Sequence, residues 1–436
     1  MKSTQYNEAL AIITGGYRRG GKGGFGRCSR ILARLGNPHK KLKVIHVAGT
    51  NGKGSACAFL RGILTESGYS VGMFTSPHLC RYNERYNING ADITDTELAG
   101  LVERVSRYAG ETPGISYFEL LTIMAFVYFY EKKADIAIME AGIGGRTDAT
   151  NIVPAPVLSV ITSLGMDHTV SLGETLSAIT REKAGIIKKN CPAVLYYQPG
   201  EVYNVVEAVC RERNAVLYCP DDGFDISVRE NGIDGIEFEA PFRLNGRAVG
   251  FGPLKTRLSG AYQITNAANI QTAVYALRDA GYNITDAAVK RGLENAAWPG
   301  RMEIAGRSPL IILDGAHNPD GARLAVASVK AYFNNKHIIL VAGILKEKDY
   351  QQIINILAEA ADSVILTQPA YSPKAVPAED LYAALAETHR PKCAGIIADH
   401  RGAMDAALRL AGRDGVIFVS GSLYLVGDVR RYLGKD

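Results

Sequence analysis

The sequence has no Cys-x-x-Cys pair among its seven cysteines, Cys28, Cys57, Cys80, Cys191, Cys210, Cys219 and Cys393. That absence, with the odd count, argues against a zinc site or a disulfide framework and for a reduced chain in the cytoplasm. A secretory signal is missing too: "MKSTQYNEAL" has neither an apolar core nor a cleavage site. No apolar run is long enough to span a membrane. The longest, "ISYFELLTIMAFVYFYEKK", is interrupted by Glu119 and is expected to form a buried helix. Charge of one sign is scarce. A net charge of +5 on 436 residues does not call for nucleic acid or a membrane surface, and it suits small anionic ligands equally well. There is no solenoid-type repeat and no low-complexity tract; the glycine-rich "GGYRRGGKGGFGR" near the start reads as a flexible basic loop.

What is present is an ordinary apolar share, 47%, and a length that favours two domains. Strand and helix patterns alternate, which predicts an α/β fold with mainly parallel sheets. "KVIHVAG", "ADIAIMEAG" and "PVLSVITSLG" read as buried strands of a first domain, and "DITDTELAGLVERVSRYAG" opens on a capping box, Thr94 with Glu97. "LIILDGAH", "HIILVAGIL", "DSVILTQ", "AGIIAD" and "GVIFVSG" are short apolar strands of a second. The Trp-Pro-Gly break in "AAWPGRME" sets the boundary, giving domains 1–297 and 298–436. The stretch "DDGFDISVRENGIDGIEFEAPFRLNGRAVGFG" reads as a β-hairpin insert.

"VIHVAGTNGKGSACAFL" carries the chemistry. A strand, a glycine turn, Lys53, Ser55 and a helix follow one another, the context a phosphate cradle needs. The usual G-x-x-x-x-G-K-[ST] spacing is broken: Val47 stands where glycine is expected, and the hydroxyl arrives one residue late, after Gly54. Glu140 ends the strand "ADIAIME", either as a metal-holding carboxylate or as a surface acid capping a turn. His168 lies just past "ITSLGMD". In a parallel sheet these strand ends share one edge, so Lys53, Glu140 and His168 converge on a Mg·nucleotide site. "TSPHL", with Ser76, is a rigid loop lining that edge or an ordinary proline turn. Lys183, flanked by Arg181 and Glu182 in "ITREKAGIIKK", reads by itself as part of a solvated, salt-bridged face. In the second domain Asp314 and His317 sit in the glycine turn "ILDGAHNPDGAR"; Arg301 in "WPGRME" and Asn266 in "GAYQITNAANIQTA" are weaker candidates.

Together, "HVAGTNGKGS", "TSPHL", "YFELLT", "EAGIGGRTDATN", "GMDH", "ITREKAGIIK", "YQITNAA", "PGRME", "LDGAHN" and "SGSLYLVGDVR" resemble, in order and over nearly the whole chain, the folylpolyglutamate synthase and dihydrofolate synthase family. The resemblance implies a P-loop-type, mainly parallel sheet domain followed by a smaller Rossmann-like α/β domain. It implies an ATP-dependent ligase, with Mg²⁺, that joins L-glutamate to folate or dihydropteroate through an acyl phosphate, in a cytoplasmic monomer. By the same resemblance, Asn51, Gly52, Lys53, Gly54 and Ser55 hold phosphates. Ser76, Glu140 and His168 match magnesium positions, joined by Ser55, and Lys183 matches a lysine that becomes carbamylated and helps fix the metal. Asn266, Arg301 and Asp314 match nucleotide contacts, with His317 beside them. Tyr117, Phe118, Glu119, Thr147 and Asp148 fall where the family's pterin pocket is lined. Tyr86 stands where an aliphatic residue is commoner. A Mur-type peptide ligase is the nearest rival, but those carry a UDP-binding domain before the loop, and about forty residues are too few for it. A non-catalytic nucleotide-binding module is the rival from another class; the set Lys53, Glu140, His168 and Lys183 argues against it.

Overall fold

Five residues in succession, Val44–Ala48, form strand β1, and all five are buried. A parallel strand covered on both faces needs an apolar side chain at nearly every position, and Val-Ile-His-Val-Ala supplies one everywhere except His46. The structure, a computed structural model, describes residues 4–15, 25–370 and 374–435. The glycine-rich stretch therefore lies largely outside the described residues; its last three, Phe25–Arg27, begin the helix Phe25–Arg34.

The first sheet continues with β2 (Val71–Phe74), β3 (Tyr86–Ile88), β4 (Ala91–Asp92), β5 (Ile136–Glu140), β6 (Leu158–Ile161), β7 (Ala193–Leu195) and β8 (Leu217–Tyr218). Its order is β4-β3-β2-β5-β1-β6-β7-β8. Only β3 and β4 run antiparallel to their neighbours. Side chains alternate across β1. Ile45 and Val47 pack on Phe59, Leu60 and Ile63 of the helix Lys53–Glu66 and on Ile270 and Val274 of the helix Ala261–Asp279. Val44 faces the opposite layer, built by Leu120, Met124 and Phe126 of the expected buried helix, Tyr117–Glu131. Each such fully buried side chain contributes roughly 1.5–3 kcal/mol relative to exposure. The Thr94–Glu97 capping box forms as expected, and a second one, Ser116–Glu119, starts Tyr117–Glu131.

The insert is richer than one hairpin. β9 (Ser227–Gly232), β10 (Gly235–Glu239) and β13 (Leu254–Thr256) form a three-stranded sheet, while β11 (Phe242–Leu244) pairs with β12 (Arg247–Val249). The second large sheet comprises β14 (Glu303–Arg307), β15 (Leu310–Leu313), β16 (Ile338–Ala342), β17 (Ser363–Leu366), β18 (Cys393–Ile396) and β19 (Val416–Ser420), ordered β14-β15-β19-β16-β17-β18. All five expected apolar strands are present. β14, antiparallel to β15, has no apolar run to announce it.

A candidate nucleotide and acyl-transfer site

Strands β5, β1 and β6 are neighbours, with Val47 paired to Glu140 and Ala48 to Ile161. Their carboxyl ends place the candidate phosphate loop between Glu140 and the segment leading to His168. The loop is tied down from the side: the Thr50 and Asn51 N–H groups donate to Ser163 O at 2.9 and 3.1 Å, and Thr162 Oγ1 donates to Asn51 O at 2.8 Å. Lys53 Nζ lies 3.2 Å from both Gly49 O and Thr50 O.

The broken spacing has a packing cause. Gly52, at φ 87°, is left-handed, and a Cβ there would meet Asn266 Oδ1 at 2.7 Å. At Gly54 a Cβ would lie 2.5 Å from the Trp298 indole, too close for any side chain. The hydroxyl therefore comes at Ser55, which is buried; its Oγ accepts from Gln263 Nε2 at 3.1 Å, and Gln263 Oε1 accepts from Asn266 Nδ2 at 2.9 Å. Trp298 is the sequence's one tryptophan. That rarity was the only signal that could have marked it.

Glu140 is buried, not a surface acid. Burial raises its carboxyl above the usual range, opposed by Lys53, the Ser76 N–H and Arg301. Its Oε2 accepts that N–H at 3.0 Å, which fixes the Ser-Pro loop against the strand end. Lys183 is likewise not on a solvated face. It is 3% exposed and its Nζ donates to Gly49 O at 2.7 Å. Its neighbours mislead: Arg181 is exposed, and Glu182 pairs outward with Arg146. Burial, then the Lys53 charge, lowers the Lys183 amine to about 7.

Past β6, His168 sits in a left-handed conformation, φ 51°. Its Nε2 is 3.5 Å from Lys348 Nζ, which in turn donates to Asp167 Oδ1 at 2.8 Å. Burial and then Lys348 bring the His168 imidazole down to about 4, leaving it neutral. Burial opposes the Asp167 charge, but Lys348 and His168 hold its carboxyl well below the usual range. Neither Lys348 nor Asp167 stood out in the sequence.

The second sheet turns its own carboxyl edge toward this one. Asp314 follows β15; its Oδ2 accepts from Tyr262 OH at 2.6 Å and Met302 N at 3.0 Å, and its Oδ1 from Ala316 N at 2.9 Å. Arg301 packs against Gly315, where a Cβ would lie 2.4 Å from Nη1. His317 Nδ1 faces Gly315 O at 2.9 Å, and burial and then Lys348 lower its imidazole to about 3. Asn318 caps the helix Pro319–Phe333 and exchanges amide hydrogen bonds with Asn51, Nδ2 to Oδ1 at 3.0 and 3.4 Å. The phosphate loop is thus joined directly to the second domain.

Tyr117 OH donates to Tyr82 OH at 3.2 Å, the Tyr82 ring lies 4.3 Å from the His78 ring, and Arg85 Nε donates to His78 Nδ1 at 2.8 Å. Phe118 fills the space over Gly142, where a Cβ would meet its ring at 2.6 Å. Asp148 is buried beside this loop, and Thr147 is exposed on it. Glu119 is buried and committed to other partners. Its carboxylate caps its own helix at Ser116 N, 2.7 Å, and holds Arg27 at 3.2 Å.

Among the described residues no cluster of three or more His, Cys, Asp or Glu side chains could hold a metal ion. A magnesium ion that keeps waters and phosphate oxygens needs only one or two protein carboxylates. The donors present fit that case: Glu140 Oε2 takes one N–H, and hydroxyls are available at Ser55 and Ser76, hard oxygens all.

Residues 300–423 match the Mur ligase, glutamate ligase domain family. The chain is 37% identical to the dihydrofolate synthase/folylpolyglutamate synthase of Bacillus subtilis, over 99% of each chain. It is 35% identical to the folylpolyglutamate synthase of Lacticaseibacillus casei, over 98% of each. Among solved structures, Mycobacterium tuberculosis folylpolyglutamate synthase complexed with ADP superposes with a TM-score of 0.89 at 28% identity, covering 99% of both chains. Escherichia coli FolC in complex with DHPP and ADP superposes with a TM-score of 0.85 at 31% identity, covering 99% of this chain and 98% of that one.

Proposed function

The chain belongs to the folylpolyglutamate synthase and dihydrofolate synthase family, and on that premise we propose how its residues act. It is an ATP-dependent ligase that adds L-glutamate to folate, to dihydropteroate or to both. The observation that carries the mechanism is the meeting of two carboxyl edges: Lys53 and Glu140 on one, Arg301, Asp314 and His317 on the other, joined through Asn51 and Asn318.

The acceptor carboxylate must approach a polyanionic triphosphate. Each close like-charge pair costs about 4 kcal/mol at ~4 Å with an effective dielectric near 20. Lys53 and the N-terminus of the helix Lys53–Glu66 offset that repulsion over the phosphates, and Arg301 adds positive charge from the second domain. One carboxylate oxygen bonds to the γ-phosphorus as ADP leaves, giving an acyl phosphate. The glutamate amine then bonds to the acyl carbon, the proton is lost, and phosphate leaves. The cleft positions the amine and excludes water, so aminolysis outruns hydrolysis. Asn266 and Asp314 serve the nucleotide, and His317, uncharged, borders the meeting point.

Ser55, Ser76, Glu140 and His168 would hold magnesium, which supplies charge neutralisation on the phosphates when bound. Lys183 is placed to be carbamylated: its nitrogen bonds to the carbon of CO₂ and sheds a proton. An amine lowered to about 7 supports this, because only the neutral form reacts. Tyr117, Phe118 and Asp148 border the pteroyl pocket with Thr147 on the same loop; Glu119 supports it by capping the helix that carries Phe118. We place the domain boundary at Trp298. We take the protein to be a monomer of a reducing, cytoplasmic compartment. None of the seven cysteines is in a disulfide, and among the described residues no helix is long and apolar enough to cross a membrane.

The test offers purified protein dihydropteroate or tetrahydrofolate separately, with MgATP and labelled glutamate, and weighs the products. Phosphate release is expected only when pteroyl acid, glutamate and MgATP are all present. Release that ignores the pteroyl acid would remove this reading, and the substrate that gains mass distinguishes the two activities.

A further inference from the structure

His46 is the one polar interruption in β1, fully buried, and it has no part in the phosphate site. Its Nε2 lies 2.8 Å from Thr150 Oγ1. Thr150 Oγ1 lies 2.5 Å from Asp148 Oδ1, which also accepts the Thr150 N–H at 3.0 Å. Asp148 Oδ2 accepts the Gly142 and Ile143 N–H groups at 3.0 and 3.1 Å. Four donors therefore converge on one buried carboxylate, which matches its roughly four acceptor positions.

The proton order along this chain can be worked out. A carboxylate only accepts, so the Thr150 hydroxyl donates to Asp148, and its oxygen must accept from His46 Nε2–H. His46 Nδ1 is then bare, which agrees with its having no hydrogen-bond partner. The opposite tautomer would bury an orphan N–H at Nδ1 and would require a protonated Asp148, and orphan buried N–H groups are the rarer defect. Burial keeps the His46 imidazole neutral, lowered to about 3, with Lys188 adding to the effect.

We propose that His46 is a positioning residue: through Thr150 it fixes the Asp148 carboxylate and, with it, the loop Gly142–Asp148 that faces Phe118 in the pteroyl pocket. This rests on the reading of that pocket given above. The loop is also held at Arg146, whose N–H donates to Glu182 O at 2.7 Å, whose Nε donates to Glu182 Oε1 at 2.9 Å, and whose carbonyl accepts from Asn151 Nδ2 at 3.0 Å. His46 supplies the clamp from the strand that ends in the phosphate loop.

The experiment compares His46→Leu, His46→Gln, Thr150→Val and Thr150→Ser. His46→Leu and Thr150→Val should each raise KM for the pteroyl acid about tenfold, the scale of one lost buried hydrogen bond, with KM for MgATP within about twofold. His46→Gln, which restores a donor near Nε2, and Thr150→Ser should recover most of the loss. The His46→Leu/Thr150→Val double variant should be no worse than the poorer single one. Independently of turnover, ring-nitrogen NMR should show Nε2 protonated and Nδ1 bare, and amide exchange at Gly142 and Ile143 should accelerate in Thr150→Val. An Nδ1–H tautomer, unchanged amide exchange, or MgATP KM rising in step with pteroyl KM overturns the proposal. If His46→Leu does not fold, the Thr150 pair decides. If wild type turns over no pteroyl acid, the proposed function fails, while the NMR and exchange results still decide the role of His46.

Discussion

Lys53 and Lys183 end on the same carbonyl oxygen, that of Gly49, at 3.2 and 2.7 Å. Burial opposes the charge on Lys183 first, and the Lys53 charge opposes it second. The Lys183 amine is lowered from 10.5 to about 7. Between those values the unfolded chain holds a proton that the folded chain has shed, so stability rises with pH across that window and the penalty is complete below it. Without ligands, Lys183→Met should therefore be more stable than wild type at pH 6, by on the order of 2–4 kcal/mol, and the gap should close toward pH 10. Urea unfolding at several pH values measures this; a variant less stable at pH 6 would mean the bond to Gly49 O outweighs the buried charge. In the proposed mechanism Lys53 and Glu140 face the reacting groups. Lys53→Ala and Glu140→Gln should each lower kcat by about a thousandfold or more, with circular dichroism and unfolding midpoint near wild type. Glutamine keeps an acceptor for the Ser76 N–H, so near-normal turnover in Glu140→Gln would remove the charge from the mechanism.

The helix Lys53–Glu66 owes its unusual entry to Trp298, which lies across its first turn. Gly54→Ala should push the indole aside, raise KM for MgATP about tenfold or more and shift tryptophan emission, which Trp298 alone supplies. In wild type the same emission should report nucleotide titration; an unchanged spectrum on saturation would detach Trp298 from the phosphate loop. Elements like these were unevenly legible in the sequence. Strands β1, β5 and β6 showed themselves as apolar runs, and their polar ends fixed the site's edge because parallel strands must share it. Lys183 was not legible. Two charged residues, Arg181 and Glu182, come just before it, and periodicity does not say which face of a short polar helix is covered. Glu119 was legible in principle, since Ser-x-x-Glu before an apolar run is a capping signature, but the pocket reading took precedence over it. His46 was hidden by the strand that carries it. Its partners, Thr150 and Asp148, lie about a hundred residues away, in a loop whose course no local pattern sets.

At the scale of the whole molecule, the carboxyl edges of the two large sheets are bridged by side chains. Asn51 pairs with Asn318, and Lys348 with Asp167, the latter two each 9% exposed. A Cβ at Gly427 would lie 2.1 Å from Leu79 O, so the helix Leu423–Tyr432 also touches the loop beyond Ser76 and Pro77. Removing one partner of a buried pair leaves an uncompensated charge, a cost of about 3–5 kcal/mol. The expected response, cheaper than unfolding, is a parting of the two edges that lets water reach Asp167. Lys348→Met should therefore enlarge the radius of gyration of the unliganded protein while both domains keep their secondary structure, and should lower kcat about tenfold or more. MgATP with pteroyl acid should contract wild type further, and should contract the variant by a larger step. Asp167→Asn in the Lys348→Met background removes the stranded charge and should return the unliganded scattering toward wild type. Small-angle scattering alongside steady-state kinetics measures all four states. If Lys348→Met scatters as wild type does while kcat falls, Lys348 acts on the reacting groups and not on closure; if neither changes, the bridge carries no share of the energy that holds the cleft.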